Sequence, residues 1–205
     1  MTVQAQSGVF WRIVDESGTG PDSVTLVFQT PSDTHGNLQL ETDIVTAEFL
    51  SCVGRSHIDV EWTTEDSELL SILLQKQFPE RFDAENSMRL DLSDDAIIDT
   101  LAVIAAARFG DAQDGADWLS QRPWNTIQRS YEVGDMVSLA TEEGFCLGVL
   151  VTLDAVEGEV VLMQQVDGQS GECAARLHER IRVYKADLLP DTFAHVLPNE
   201  GETRH

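Results

Sequence analysis

The chain has 205 residues, 42% of them hydrophobic, and carries 36 acids against 13 bases for a formal net charge of −23. That hydrophobic share is enough for a packed core and excludes wholesale disorder. The charge excludes unaided binding to DNA, RNA or anionic lipid, whose phosphates need a basic surface, and favours a basic partner or plain solubility. Lysine is scarce: Lys76 and Lys185 stand beside eleven arginines. Cys52, Cys146 and Cys173 form no C-x-x-C pair, so neither a disulfide framework nor a thiolate zinc site is expected. The opening "MTVQAQSGVFWRIV" lacks a basic region followed by a long apolar one. No run reaches about 18 apolar residues, and the expectation is a cytoplasmic protein.

Residues 8 to 62 read mostly as strand. "GVFWRIV" (8–14) and "SVTLVFQ" (23–29) are rich in β-branched and aromatic residues, with turn chemistry between them. "LQLETDIVTAEFLSCV" (38–53) reads as strand with an irregular middle. "HIDVEW" (57–62) alternates, with Ile58, Val60 and Trp62 on one face and His57, Asp59 and Glu61 on the other. Strands in such succession suggest an antiparallel meander.

The period then changes. "TTEDSELLSILLQKQF" (63–78) predicts a helix capped by Thr64, with Glu65, Asp66 and Glu68 near its positive end and Pro79 as its stop. "SDDAIIDTLAVIAAARFG" (93–110) predicts a second, capped by Ser93 and ended by Gly110. Its apolar residues spread over more than one stripe, which predicts burial on most sides. A short third helix is expected over 111–120, with Trp118 and Leu119 facing inward. "QRPWNTIQRS" (121–130) reads as a linker or docking segment. Beyond it lie four or five short strands and a short helix over "CAARLHE" (173–179), the quantity of strand that a small barrel needs. The expected architecture is therefore α+β: an N-terminal antiparallel sheet with two or three helices over 1–122, a small SH3-like β-barrel over 131–190, and a polar tail over 191–205.

Within the second part, "YEVGDMVSLATEEGFCLGVLV" (131–151) puts Gly134-Asp135 before one strand, a turn at Gly144, and Gly148 inside the returning strand. Val137 and Leu139 are expected to face inward, with Phe145, Leu147, Val149 and Val151 opposite them. This spacing resembles the start of a bacterial family of immunity proteins with an SH3-like core, the immunity protein 26 type. It departs from that family where Gly144 and Gly148 stand one residue closer, and where "LATEE" replaces an apolar-proline step. The resemblance, over roughly residues 129 to 151, implies a non-catalytic protein that binds and neutralises a toxin.

No motif for nucleophilic, nucleotide or zinc chemistry is present. His57, Asp59 and Glu61 share one strand face, yet three polar residues on a wet face are ordinary surface, and no metal or other cofactor is expected. Adjacent acids such as Asp94-Asp95 and Glu142-Glu143 are unavoidable at this composition and do not mark an acid/base pair. Charge distribution is more informative. From Asp59 to Asp117 there are fifteen acids and four bases, whereas "ARLHERIRVYK" (175–185) holds four bases beside one glutamate. A basic protein partner, a toxin, nuclease or defence effector, is expected to meet Asp59, Glu61, Glu65 and Asp66, the helix-start acids Asp94 and Asp95, and the loop acids Asp111, Asp114 and Asp117. Glu142 and Glu143 at the hairpin turn, and Trp124 as an aromatic anchor, complete the set. The rival expectation is an assembly subunit whose acidity serves only solubility.

Overall fold

A computed structural model describes residues 8–14, 22–29, 37–46, 57–79, 92–115, 119–120, 130–142, 144–167 and 172–194. The chain divides into two compact units, Met1–Asp111 and Ala112–His205. Among the described residues no helix is long and apolar enough to cross a membrane.

The first unit holds strands β1 (Val9–Val14), β2 (Asp22–Phe28), β3 (Leu38–Thr46) and β4 (His57–Glu61), ordered β3-β2-β1-β4. Every pairing is antiparallel, but the expected meander holds only for β1 to β3: β4 returns to pair with β1 instead of β3. Register places Trp11 between Leu26 and Val60, and Ile13 between Val24 and Ile58, so these residues line one face. Helices α1 (Thr64–Gln77) and α2 (Asp95–Phe109) belong to this unit. On the Trp11 side of the sheet, the Trp62 ring stacks at 5.2 Å and the Phe109 ring meets Trp11 edge-on at 5.6 Å. Every residue from Thr100 to Ala106 is buried, which is why α2 shows no single apolar stripe.

Both helices start one residue away from their expected caps. The cap of α1 is Thr63, whose hydroxyl accepts from the Asp66 N–H while the Asp66 carboxylate accepts from the Thr63 N–H. A reciprocal box satisfies two orphan donors, and Thr64 has no such return bond to offer. In α2 the cap is Asp94, accepting from Ala96 N at 3.1 Å. The Arg108 side chain, near the end of α2, pairs with Asp66 at the start of α1, and Thr100 Oγ1 donates to Gln77 Oε1 near the end of α1. The two helices therefore run antiparallel.

In the second unit the strands are β5 (Gln113–Asp114), β6 (Met136–Ala140), β7 (Phe145–Leu153), β8 (Glu157–Leu162), β9 (Val166–Asp167), β10 (Cys173–Ala175), β11 (Arg180–Tyr184) and β12 (Leu188–Pro190). Six of them form one sheet in the order β12-β6-β7-β8-β11-β5, and β9 and β10 form a separate ribbon. Tyr131, Val137, Leu139, Cys146, Leu150, Val160, Leu162 and Ile181 are among the residues of its buried core. The Tyr131 hydroxyl donates to Leu188 O at 3.0 Å, tying the segment before β6 to β12. Ser138 Oγ donates to Asp191 O at 3.1 Å and accepts from Ala194 N at 3.0 Å, holding the turn after β12 against β6.

Three expectations are corrected here. The α+β class gives way to a mostly β chain with two α-helices among the described residues. The SH3-like barrel over 131–190 does not close: the sheet ends on β12, which carries Pro190, and on the two-residue β5, and these end strands do not pair. Closure requires the first and last strands to exchange hydrogen bonds. The short helix expected over 173–179 does not form, and of the one expected over 111–120 the start is strand, with 116–118, Trp118 among them, outside the described residues. Gln113 and Asp114 pair in parallel with Ile181 and Arg182, and Cys173–Ala175 is strand, because each segment finds a ladder partner that a short isolated helix cannot match.

Gly134-Asp135 precedes β6 as expected, and the structure adds a turn there. Asp135 N donates to Glu132 O at 3.1 Å, and Gly134 occupies the third turn position with φ of 88°, a conformation L side chains resist. The returning strand is in the opposite phase to expectation. Leu139 pairs with Cys146 and Val137 with Gly148, so Cys146 and Leu150 share the core cluster of Val137 and Leu139; Val149 and Val151 are also buried but lie outside that cluster, and Phe145 and Leu147 are only half-buried. Loop length sets register, and a shift of one residue moves every side chain to the other face. A Cβ at Gly148 would stand 2.3 Å from Val160 Cγ1 and 3.1 Å from Val161 O. Val160 is itself fully buried and has no room to yield. Gly148→Ala is therefore expected to destabilise the protein by about 1–3 kcal/mol, read as a lower urea midpoint with the m-value unchanged.

Candidate functional site

Most of the acids singled out by sequence lie in the first unit, and α2 separates them into two groups. Fifteen residues of helix span about 22 Å, from Asp94 and Asp95 at one end to Asp111 beyond the other. Because the helices are antiparallel, the start of α1 with Glu65 lies at the Asp111 end. Glu61 closes β4 and is joined to α1 only through Trp62 and the cap Thr63. Glu61, Glu65 and Asp111 are exposed at this end of the unit, and Asp95 is exposed at the other. Two acids missed by the sequence reading, Glu41 and Asp43, are exposed on the edge strand β3.

Asp66 does not belong with the surface acids. It is only 5% exposed, and its Oδ2 accepts from Trp11 Nε1 at 3.2 Å, from Thr63 N at 2.8 Å and from the Arg108 guanidinium. That one oxygen ties β1, the entry to α1 and the end of α2. Thr63-x-x-Asp66 is the signal that locates the capping role; nothing local to that segment points to Trp11 or Arg108. Beside it Trp62 Nε1 donates to Ser67 Oγ at 2.7 Å, and Ser67 Oγ donates to Thr63 O at 3.1 Å, so Trp62 is fixed in place.

Asp59 is on the wet face of β4 but is gripped by Arg12, whose Nε and Nη2 donate at 2.7 and 2.9 Å. Those hydrogen bonds hold the Asp59 carboxyl below its ordinary range. Glu65 is also shifted down, by backbone N–H at the start of α1 and by the Thr63 hydroxyl, so it stays ionised. In the second unit Asp114 lies on β5 in register with Arg182, and Glu142 is exposed at the β6–β7 turn. Asp117, Glu143 and Trp124 lie outside the described residues.

Two of the four bases in segment 175–185 share one carboxylate. Arg180 donates to Glu159 Oε2 through Nε at 3.0 Å and Nη2 at 2.5 Å, and Arg182 stands 3.6 Å from Oε1 of the same carboxylate. Burial pushes the Glu159 carboxyl up, but Arg180, with Thr152 and Arg182, outweighs it and leaves it shifted down. Asp154 is shifted down by the N–H groups of Glu157 and Val156, which its Oδ1 accepts at 2.7 Å each.

Burial raises the Cys146 thiol to about 12, which removes it from thiolate chemistry, whereas Cys173 is exposed. No group of three or more His, Cys, Asp or Glu suited to a metal occurs among the described residues. His57, Asp59 and Glu61 share the outer face of β4, and Asp59 is committed to Arg12. No protein-family model matches the chain, and no curated protein matches it.

Three expectations follow. Asp66→Ala leaves the Arg108 cation beside a cavity and the Trp11 and Thr63 N–H groups without their acceptor. It should cost about 3–5 kcal/mol in denaturant unfolding, against less than about 1 kcal/mol for Glu61→Ala. Asp59, Asp154 and Glu159 have lowered folded pKa values, so their stabilisation is present above their unfolded values of about 4 and is lost as pH falls through the folded ones. Repulsion relaxes in the opposite sense as pH approaches the pI of 4.2. Tm by calorimetry should therefore rise slightly from pH 7 to about 5 and drop below about pH 4, with the drop smaller in Glu159→Gln. Iodoacetamide at pH 8, followed by peptide mass spectrometry, should label Cys173 in the native protein and Cys146 only after unfolding.

Proposed function

We propose that the protein is a non-catalytic binding protein that occupies the cationic surface of a basic, nucleic-acid-acting protein and so neutralises it. The observation that carries this reading is the unequal use of charge. Arg12, Arg108, Arg180 and Arg182 are engaged with Asp59, Asp66 and Glu159 of the chain itself, while Glu61, Glu65 and Asp111 stand at the surface at one end of the first unit. Among the described residues the charge left for a partner is therefore mainly acidic. Carboxylates on a strand end and a capped helix start are held on rigid elements, which lowers the cost of ordering them on binding. Opposed fields also raise association rates by about 10- to 1,000-fold, which suits an inhibitor that must intercept its target.

Two cytoplasmic settings accord with this activity. One is immunity against a toxin, which the likeness over residues 129 to 151 supports, and the other is inhibition of a host defence effector. Asp66 is withdrawn from the binding set because its carboxylate is buried.

Tagged protein incubated with lysate of the native host should retain a basic nucleic-acid-binding protein at 50 mM NaCl and lose most of it at 500 mM. With that protein purified, the triple variant Glu61→Lys, Glu65→Lys and Asp111→Lys should bind more than about tenfold less tightly, at roughly 0.5–1 kcal/mol per charge. Asp95→Lys, at the other end of α2, should change affinity by less than about threefold. Equal binding at both salt concentrations, or an unaffected triple variant that remains folded, would overturn the reading.

A further inference from the structure

We draw no further inference here: the strongest candidate, the outer edge of β4 with Glu61 and the ion-paired Asp59 on its wet face, belongs to the acidic surface already described, and nothing in the structure shows what pairs with that edge.

Discussion

A single carboxylate oxygen, Asp66 Oδ2, organises the first unit. It caps α1 by accepting the Thr63 N–H, receives the indole N–H of Trp11 from the middle of the sheet, and neutralises Arg108 at the end of α2. A buried charge is tolerated only when it is paired and hydrogen-bonded, and here all three donors converge on one atom. The geometry that follows is restrictive. α2 must run back along α1 to bring Arg108 there, and Trp62 must stack on Trp11 because it immediately precedes the cap. The exposed acids Glu61 and Glu65 stand where they do because the buried one fixes the chain between them.

The second unit is organised by close approach instead of charge. Gly148 lets β7 lie against β8 without a Cβ meeting Val160, and the turn at Gly134 is bonded into β7 through Gly134 N to Leu150 O and Leu150 N to Asp135 O. Those two contacts set where the meander begins and how tightly its central pair packs. The sheet ends on strands of three and two residues, and short edges with a proline are poor templates for further pairing. An open sheet is thereby kept from extending without being closed.

Among the described residues, Arg12, Arg108, Arg180 and Arg182 are spent on carboxylates of the chain itself. Those four arginines engage three carboxylates, Glu159 taking two of them at once. Exposed pairs such as Arg12–Asp59 contribute little stability, about 0–1 kcal/mol, so their effect lies more in fixing register between β1 and β4 than in holding the fold. The remaining acids repel one another, and that repulsion is the feature a cationic partner would relieve.

The strands of the first unit, the wet and dry faces of β4 and both helices were legible in the amino-acid sequence, because each is set by a period or a backbone preference within a few residues. So was the overall excess of acid. The fate of each acid was not. Glu65 and Asp66 are neighbours in the same helical turn, and one is exposed while the other is buried under Trp11, 55 positions away along the chain. Strand-forming segments at 113–114 and 173–175 were hidden because each is defined by a partner outside its own segment, and the phase of β7 because it depends on a loop register. Local periodicity determined which segments form strands and helices; long-range pairing decided which carboxylates meet water, since burial depends on what the rest of the chain brings alongside.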